Sequence, residues 1–234
     1  METDKPHPDA PNTSQRPLVI ICGQYRSGST LLLRLFNEHP NVRINGENNG
    51  AVERLVQYFS LLARLPQTEN YSQQALDPTW FPAWYNCFDY ERIRNSLRNL
   101  IFLQCAASSG IIGGYKEIRH GLPRTLLLDE FAEALLAILG GEVRFVLLTR
   151  SVEEMISSIR ETGWEDDPEG FRDELIFQQK AFERLALNNP HHCRLVTYED
   201  LINNTPNLAA TFEFAGINFS PDAWKRVIAV RISR

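Results

Sequence analysis

The segment Leu18-Val-Ile-Ile-Cys-Gly-Gln-Tyr-Arg-Ser-Gly-Ser-Thr30 decides the fold of this 234-residue chain. Its first five residues are apolar and mostly β-branched, which predicts a short buried strand. Residues 23–28 begin and end with glycine, which predicts a turn. Apolar residues at helical spacing then run from Ser29 to His39-Pro40. A strand, a glycine-bounded loop and a helix in this order are typical of the start of an α/β fold.

Strands and helices alternate along the rest of the chain. Apolar runs predict strands at 115–119, 143–149 and 194–197, and helical spacing predicts helices at 51–65, 89–108, 124–140, 152–161, 170–188 and 207–215. This alternation predicts three layers: a central, mainly parallel sheet with helices on both faces. We expect a disordered polar tail over residues 1–16 and a single domain over residues 17–234.

Composition and charge exclude several classes of protein. The net charge is -5, from 24 basic and 29 acidic residues, and nucleic-acid binders are usually basic, so we expect no nucleic-acid partner. No stretch reads as a signal peptide or a membrane span, so we expect a cytoplasmic chain without stable membrane insertion, with a trimmed ectodomain as the alternative. The four cysteines form no C-x-x-C pair, which excludes a zinc ribbon. We expect the cysteines to act as small hydrophobic residues buried in the core.

The loop at residues 23–30 has the spacing G-x-x-x-x-G-x-[S/T] of a phosphate-binding loop. Its glycines let backbone N–H groups turn inward, and the N-terminus of the next helix adds partial positive charge. Ser27, Ser29 and Thr30 add hydroxyl donors. Ser29 stands where an ATP- or GTP-binding loop has its lysine, and Arg26 supplies a cation instead. We therefore expect a different phosphate-like ligand; a serine-capped helix after a tight turn is the structural alternative.

Two further patterns follow later strands. Arg150 comes directly after strand 143–149, and Ser158 lies about two helical turns further on. Both side chains can reach a ligand at the carboxyl edge of an open sheet, where an arginine fork suits a phosphate. Tyr198-Glu-Asp-Leu201 follows strand 194–197, and its acids suit a helix start. Taken singly, these patterns are also compatible with an exposed arginine, a surface serine and an ordinary helix start.

Together, and in this order, the three patterns resemble the sulfotransferase family that uses 3′-phosphoadenosine 5′-phosphosulfate (PAPS). The resemblance covers residues 17–217 and implies a P-loop-like architecture. It implies in-line transfer of a sulfuryl group from PAPS to an acceptor hydroxyl, on a carbohydrate, lipid, tyrosine or small alcohol, with PAP as the product. It also implies a structural role for Glu199-Asp200. The implied nucleotide-binding residues are Arg26, Ser27, Gly28, Ser29, Thr30, Arg150, Ser158 and Tyr198.

The resemblance also implies the catalytic residues. The R-S-G-S-T form of the loop is closer to the bacterial, carbohydrate and tyrosylprotein branches than to the cytosolic branch. In those branches the base is a glutamate shortly after the His-Pro that ends the loop helix, which is Glu47 here. Lys116 stands where relatives carry a lysine near the transferred group, and with Arg26 it is implied to neutralise the leaving group without a metal. His120, in the region of the cytosolic branch's histidine, is the competing base.

Two alternatives stay open on the sequence alone. A P-loop kinase of a small molecule would need the missing lysine and a strand-end aspartate for magnesium, where this chain has Thr149-Arg150. A non-catalytic family member would bind a nucleotide or a partner protein. Relatives often add a basic segment beyond the last helix that closes over the nucleotide, whereas this chain stops at Arg234, and the truncation that this suggests keeps the second alternative open. Arg231 and Arg234 are the candidates to take the place of that segment. The aromatic stretch 80–88 suits an acceptor pocket or a packed insertion.

Overall fold

A five-stranded sheet forms the centre of the protein. The computed structural model describes residues 17–63, 89–119, 126–163 and 166–230. Its strands are β1 (Leu18–Cys22), β2 (Val42–Asn45), β3 (Ile112–Glu117), β4 (Val143–Thr149) and β5 (Cys193–Thr197). They lie in the order β2-β3-β1-β4-β5, and all neighbouring pairs are parallel. The predicted parallel sheet is confirmed, with β1 in the middle.

Helices cover both faces of this sheet. They are α1 (Ser29–Asn37), α2 (Ala51–Ala63), α3 (Tyr90–Gln104), α4 (Leu128–Leu139), α5 (Val152–Thr162), α6 (Arg172–Asn188), α7 (Tyr198–Asn203), α8 (Pro206–Phe214) and α9 (Pro221–Ala229), with a short 3-10 helix (Pro168–Phe171) before α6. Leu18, Ile20 and Cys22 of β1 pack with α2, α3, α4 and α6. Val19 and Ile21 pack on the opposite face with α1, α7, α8 and α9. Every residue of β1 is therefore buried.

Three elements lie outside the predicted set. β2 has four residues whose burial alternates, and a run that short gives a weak sequence signal. α7 has six residues and directly follows β5, and the sequence marks only its start, at Tyr198-Glu-Asp-Leu201. α9 does carry a start signal, because the Ser220 hydroxyl accepts a hydrogen bond from the Ala223 backbone N–H and Pro221 occupies the first helical position.

Strand β3 begins earlier than predicted, at Ile112 instead of Tyr115. It includes Gly113 and Gly114, which come before the predicted strand. Gly114 pairs with Val19 of β1, and a Cβ atom on Gly114 would lie 1.8 Å from the Val19 carbonyl oxygen. The glycine is in the strand because this close approach leaves no room for a side chain.

Three of the four cysteines lie among the described residues, and all three are buried free thiols. Burial raises the pKa of Cys105 and of Cys193 to about 12, and it raises the pKa of Cys22 well above its usual value. They are packing residues, as predicted.

Several predictions concern residues outside the described part of the chain: the tail 1–16, the stretch 80–88, Cys87, His120, and the pair Arg231 and Arg234. None of the helices in the described part combines the length and the apolar character needed to cross a membrane.

The close contact between β1 and β3 gives a stability prediction. Gly114→Ala forces a methyl group against the Val19 carbonyl, so the strands must separate. We expect a loss of about 3 kcal/mol, which lowers Tm by roughly 6–12 °C in a domain of this size. Gly141→Ala is the matched control, because its new Cβ meets only an ordinary contact, 3.9 Å from His192 Cε1. Equal Tm values for the two variants, measured by calorimetry, would contradict the prediction.

Candidate active site

A cavity of about 800 Å³ lies at the carboxyl edge of the sheet. Its position follows from the strand order, because the chain leaves β1 toward β2 and leaves β4 toward β5, in opposite directions. Ligands of open α/β sheets bind at such a switch point. The charged and aromatic groups that line the cavity are Tyr25, Arg26, Glu47, Lys116, Arg150 and Tyr198.

The loop between β1 and α1 is held by its own hydrogen bonds. The Ser27 hydroxyl donates to the Gln24 carbonyl oxygen (2.8 Å) and accepts from the Gln24 backbone N–H (3.1 Å). Ser27 is fully buried and does not line the cavity, so its hydroxyl shapes the loop. Arg26 and Gly28 both have left-handed backbone angles, with φ of 59° and 93°. The turn they make directs the chain into α1.

The N-terminus of α1 opens onto the cavity. Its N-cap is Gly28, which provides no side chain to cap the first-turn N–H groups. Ser29 and Thr30, the first two residues of the helix, both line the cavity. Uncapped N–H groups, two hydroxyls and the positive end of the helix dipole together make a site for an anion.

Helix α6 holds the loop between β1 and α1 through hydrogen bonds. The Gln24 side-chain amide donates to the Leu175 carbonyl oxygen (2.7 Å). The Gln178 side-chain amide donates to the Ile118 carbonyl oxygen (3.0 Å) and to that of Gly23 (3.4 Å). These bonds tie the ends of β1 and β3 to one helix. Nothing in the local sequence pattern marks the two glutamines, because their partners are distant in sequence.

Arg150 connects three predicted patterns. Its Nη1 donates to the Arg26 carbonyl oxygen (3.2 Å), and its Nε donates to Glu154 Oε2 (2.9 Å). Its guanidinium carbon lies 4.1 Å from the centre of the Tyr198 ring, a cation–π contact. Arg26 in turn donates from Nε to the Ser158 hydroxyl (3.1 Å). The structure therefore brings together residues from three separate parts of the sequence.

Tyr198 is fixed by the start of α7. Thr197 and Asp200 form a capping box, in which the Asp200 N–H donates to Thr197 Oγ1 (3.2 Å) and the Thr197 N–H donates to Asp200 Oδ2 (2.9 Å). Thr205 and Asn207 donate to the same carboxylate. Burial opposes the charged form, but these hydrogen bonds outweigh it and hold the pKa of Asp200 below its usual value.

Lys116 and Glu47 meet at the other end of the cavity. Lys116 is at the end of β3, with a side chain only 8% exposed, and Glu47 is in the loop between β2 and α2. Lys116 Nζ donates to Glu47 Oε1 at 2.5 Å. The predicted base and the predicted cation are therefore a hydrogen-bonded ion pair that faces the same space as Arg26.

All the predicted site residues except Ser27 line the cavity. The sequence analysis misses an apolar wall formed by Ile202 of α7 together with Ile228 and Val230 at the end of α9. The helix-start signal at Ser220-Pro221 and the helical spacing of Trp224, Val227 and Ile228 point to α9, but neither shows where the helix packs.

Comparison with known proteins defines the class. A model of the sulfotransferase family matches residues 17–221. The chain belongs to the sulfotransferase family. It is an enzyme of this class, a sulfotransferase, and neither a kinase nor a non-catalytic protein is favoured. No curated protein sequence matches it significantly.

Solved structures of sulfotransferases share the fold. The sulfotransferase domain from the Synechococcus PCC 7002 olefin synthase has a TM-score of 0.57 and 16% identity, over 92% of this chain and 78% of that chain. The sulfotransferase domain from the curacin biosynthetic pathway has a TM-score of 0.52 and 16% identity, over 90% of this chain and 77% of that chain. These similarities agree with the three-layer, P-loop-like architecture.

The lowered pKa of Asp200 predicts a pH dependence of stability. The stabilisation is fully present above the unfolded carboxyl pKa of about 3.9 and is lost as pH falls through the lower folded pKa. Asp200→Asn removes this titration. We therefore expect the Tm difference between wild type and Asp200→Asn to shrink as pH falls from about 6 to about 3. Asp222→Asn, at an exposed position of α9, is the control. A constant difference for Asp200→Asn would contradict the assignment.

Proposed function

We propose that this sulfotransferase uses PAPS as its sulfuryl donor and transfers the group to an acceptor hydroxyl by in-line displacement. The observation that carries the proposal is the grouping at the cavity. Arg26 contacts both Arg150 and Ser158 on one side, and the Lys116–Glu47 pair lies on the other. Such an arrangement suits a nucleotide with anionic groups at two positions and a proton-accepting carboxylate near its reactive end.

The residues around the cavity fit PAPS. The uncapped start of α1, with Ser29 and Thr30, suits the group at the 5′ position. Arg150 and Ser158 would hold the 3′-phosphate, because a guanidinium fork matches phosphate oxygens. Arg150 is preorganised for this role by its bond to the Arg26 carbonyl and by the Tyr198 ring. When bound, PAPS supplies a sulfuryl group activated by its attachment to a phosphate leaving group.

Each remaining step falls to a residue of this chain. Glu47 accepts the proton of the acceptor hydroxyl as general base. Lys116 and Arg26 stabilise the negative charge that grows on the leaving oxygen. The Lys116 ammonium has three donors, so it can keep its bond to Glu47 while it offers another. These fixed cations do the work that a metal ion does in phosphoryl transfer, so the proposed chemistry needs no metal.

The acceptor is a hydroxyl of a carbohydrate, a lipid, a tyrosine or a small alcohol. Incubating the enzyme with PAPS and pools of these four classes, and reading the products for the mass of an added sulfuryl group, identifies the class. Failure to sulfate any pool, together with failure to bind PAP, would count against the proposal.

The choice of nucleotide is the first test of the proposal. A contact between a charged side chain and the 3′-phosphate is worth about tenfold to a hundredfold in affinity. We therefore expect PAP to raise Tm well above the shift given by ADP at equal concentration. Arg150→Met should remove most of this difference. Arg160→Met, an exposed arginine on the same helix as Ser158, should keep it. Equal shifts with PAP and ADP for the wild-type protein would contradict the PAPS assignment.

The second test concerns the base. Glu47→Gln keeps the shape of the side chain and removes its basicity, and loss of a general base costs about 10²–10⁴-fold in rate. We expect turnover to fall by this order while PAP affinity stays close to that of wild type. Glu133→Gln, an exposed position on α4, is the control.

The competing base gives the opposite pattern. If Glu47→Gln stays active, and His120→Asn binds PAP but has lost turnover, the base is His120. We expect His120→Asn to retain most of its activity.

A further inference from the structure

A buried carboxylate lies next to the active-site lysine. Glu117, the last residue of β3, is only 1% exposed. Its Oε1 accepts hydrogen bonds from the backbone N–H groups of Ile118 (3.0 Å) and Arg119 (3.3 Å) and from Arg119 Nε (2.8 Å). Its Oε2 accepts from Arg119 Nη2 (3.3 Å). A buried charge needs such partners, and here they fix the Arg119 guanidinium in one place.

The far side of this guanidinium reaches the loop that carries Glu47. Arg119 Nη1 donates to Asn49 Oδ1 (3.3 Å), and Nη2 lies 3.7 Å from Glu47 Oε2. The hydrogen bonds that Arg119 donates to Glu117 raise the pKa of Arg119. Burial opposes this rise, and the charges of Glu117 and Glu47 add to it. Arg119 does not line the cavity, so it stands behind Glu47.

The loop that carries Glu47 is fixed at its far end, where the Asn48 side chain accepts a hydrogen bond from the Ala51 N–H. It leaves the sheet after Asn45, and its residues Asn49 and Gly50 both have left-handed backbone angles, with φ of 58° and 74°. Among the described residues, the Glu47 carboxylate contacts two cations, Lys116 at Oε1 and Arg119 at Oε2. Each oxygen of the Glu47 carboxylate therefore faces one cation, which restricts the rotation of the carboxylate.

We propose that Arg119, fixed by Glu117, is a positioning residue that orients the Glu47 carboxylate for proton transfer. This inference rests on the proposed role of Glu47 as the base. A separation of 3.7 Å is an ion pair and too long for a hydrogen bond, so Arg119 orients Oε2 without occupying its lone pairs. Lys116 occupies Oε1, and Oε2 is the oxygen that receives the proton from the acceptor hydroxyl.

The exposure of the pair supports a role in orientation. The side chains of Arg119 and Glu47 are 28% and 35% exposed. Ion pairs at such positions contribute little to stability. In contrast, a small displacement of a catalytic group has a large effect on rate, about a hundredfold for 1 Å.

The test begins with Arg119→Met, which keeps the length of the side chain and removes its charge. We expect kcat to fall by about tenfold to a hundredfold, with PAP affinity unchanged, because the nucleotide side of the cavity is untouched. Amide hydrogen exchange over residues 46–50 should become faster in the protein without any ligand. Arg119→Lys should recover part of kcat. Arg54→Met, an exposed arginine on α2, should change neither kcat nor exchange.

A second variant guards against misfolding. Arg119→Met leaves Glu117 buried without this partner, so Glu117→Gln/Arg119→Met removes both charges together. We expect this double variant to keep the Tm of wild type more closely and to show the same loss of kcat. Normal kcat and normal exchange in the double variant would overturn the proposal.

A double-mutant cycle separates this inference from the proposed function. If Arg119 acts through Glu47, adding Arg119→Met to Glu47→Gln causes no further loss of kcat. Additive losses would overturn the positioning role and leave Glu47 as the base. If Glu47→Gln is as active as wild type, the proposed base is wrong. The exchange measurement then still decides whether Arg119 holds residues 46–50.

Discussion

The parallel pairing of β1 with both β3 and β4 is the constraint on which the site depends. Parallel strands end at the same edge, so the residues after Cys22, Glu117 and Thr149 must lie side by side. The hydrogen bonds between α6 and the loop after β1 then fix the position at which the chain turns into α1. The active site is a consequence of this arrangement, because its charged and aromatic groups Arg26, Glu47, Lys116, Arg150 and Tyr198 lie at or just beyond the ends of five different strands.

The sequence predicts most strands of this sheet and part of the active site. Continuous runs of apolar residues identify β1 and β4, which are buried along almost their whole length, and the shorter apolar run of Leu195-Val196 identifies β5. The spacing of Arg26, Ser29 and Arg150 suffices to indicate an anion site, and the family resemblance adds Glu47 and Lys116. The limits of β3 are predicted poorly, because its glycines are explained by a contact with β1 that local sequence does not contain.

The contacts between the loops are beyond sequence patterns for the same reason. The bond from Arg26 to Ser158 and the stacking of Arg150 on Tyr198 join residues far apart in the chain. A pattern search treats each of them as a separate feature. No sequence motif marks the Glu117–Arg119 pair. Its role can be inferred only from the structure, which shows that the Glu117 carboxylate is buried.

Tyr198 and Gly28 show a further consequence of close packing. The tyrosine ring fills the space beside the glycine so fully that a Cβ on Gly28 would lie 2.6 Å from ring atom Cδ2. The ring therefore leaves no room for a side chain on Gly28, and the backbone φ of 93° at this residue disfavours one as well. A larger residue at position 28 would have to displace the ring on which the Arg150 guanidinium lies. The turn into α1 and the placement of Arg150 therefore depend on the same small volume.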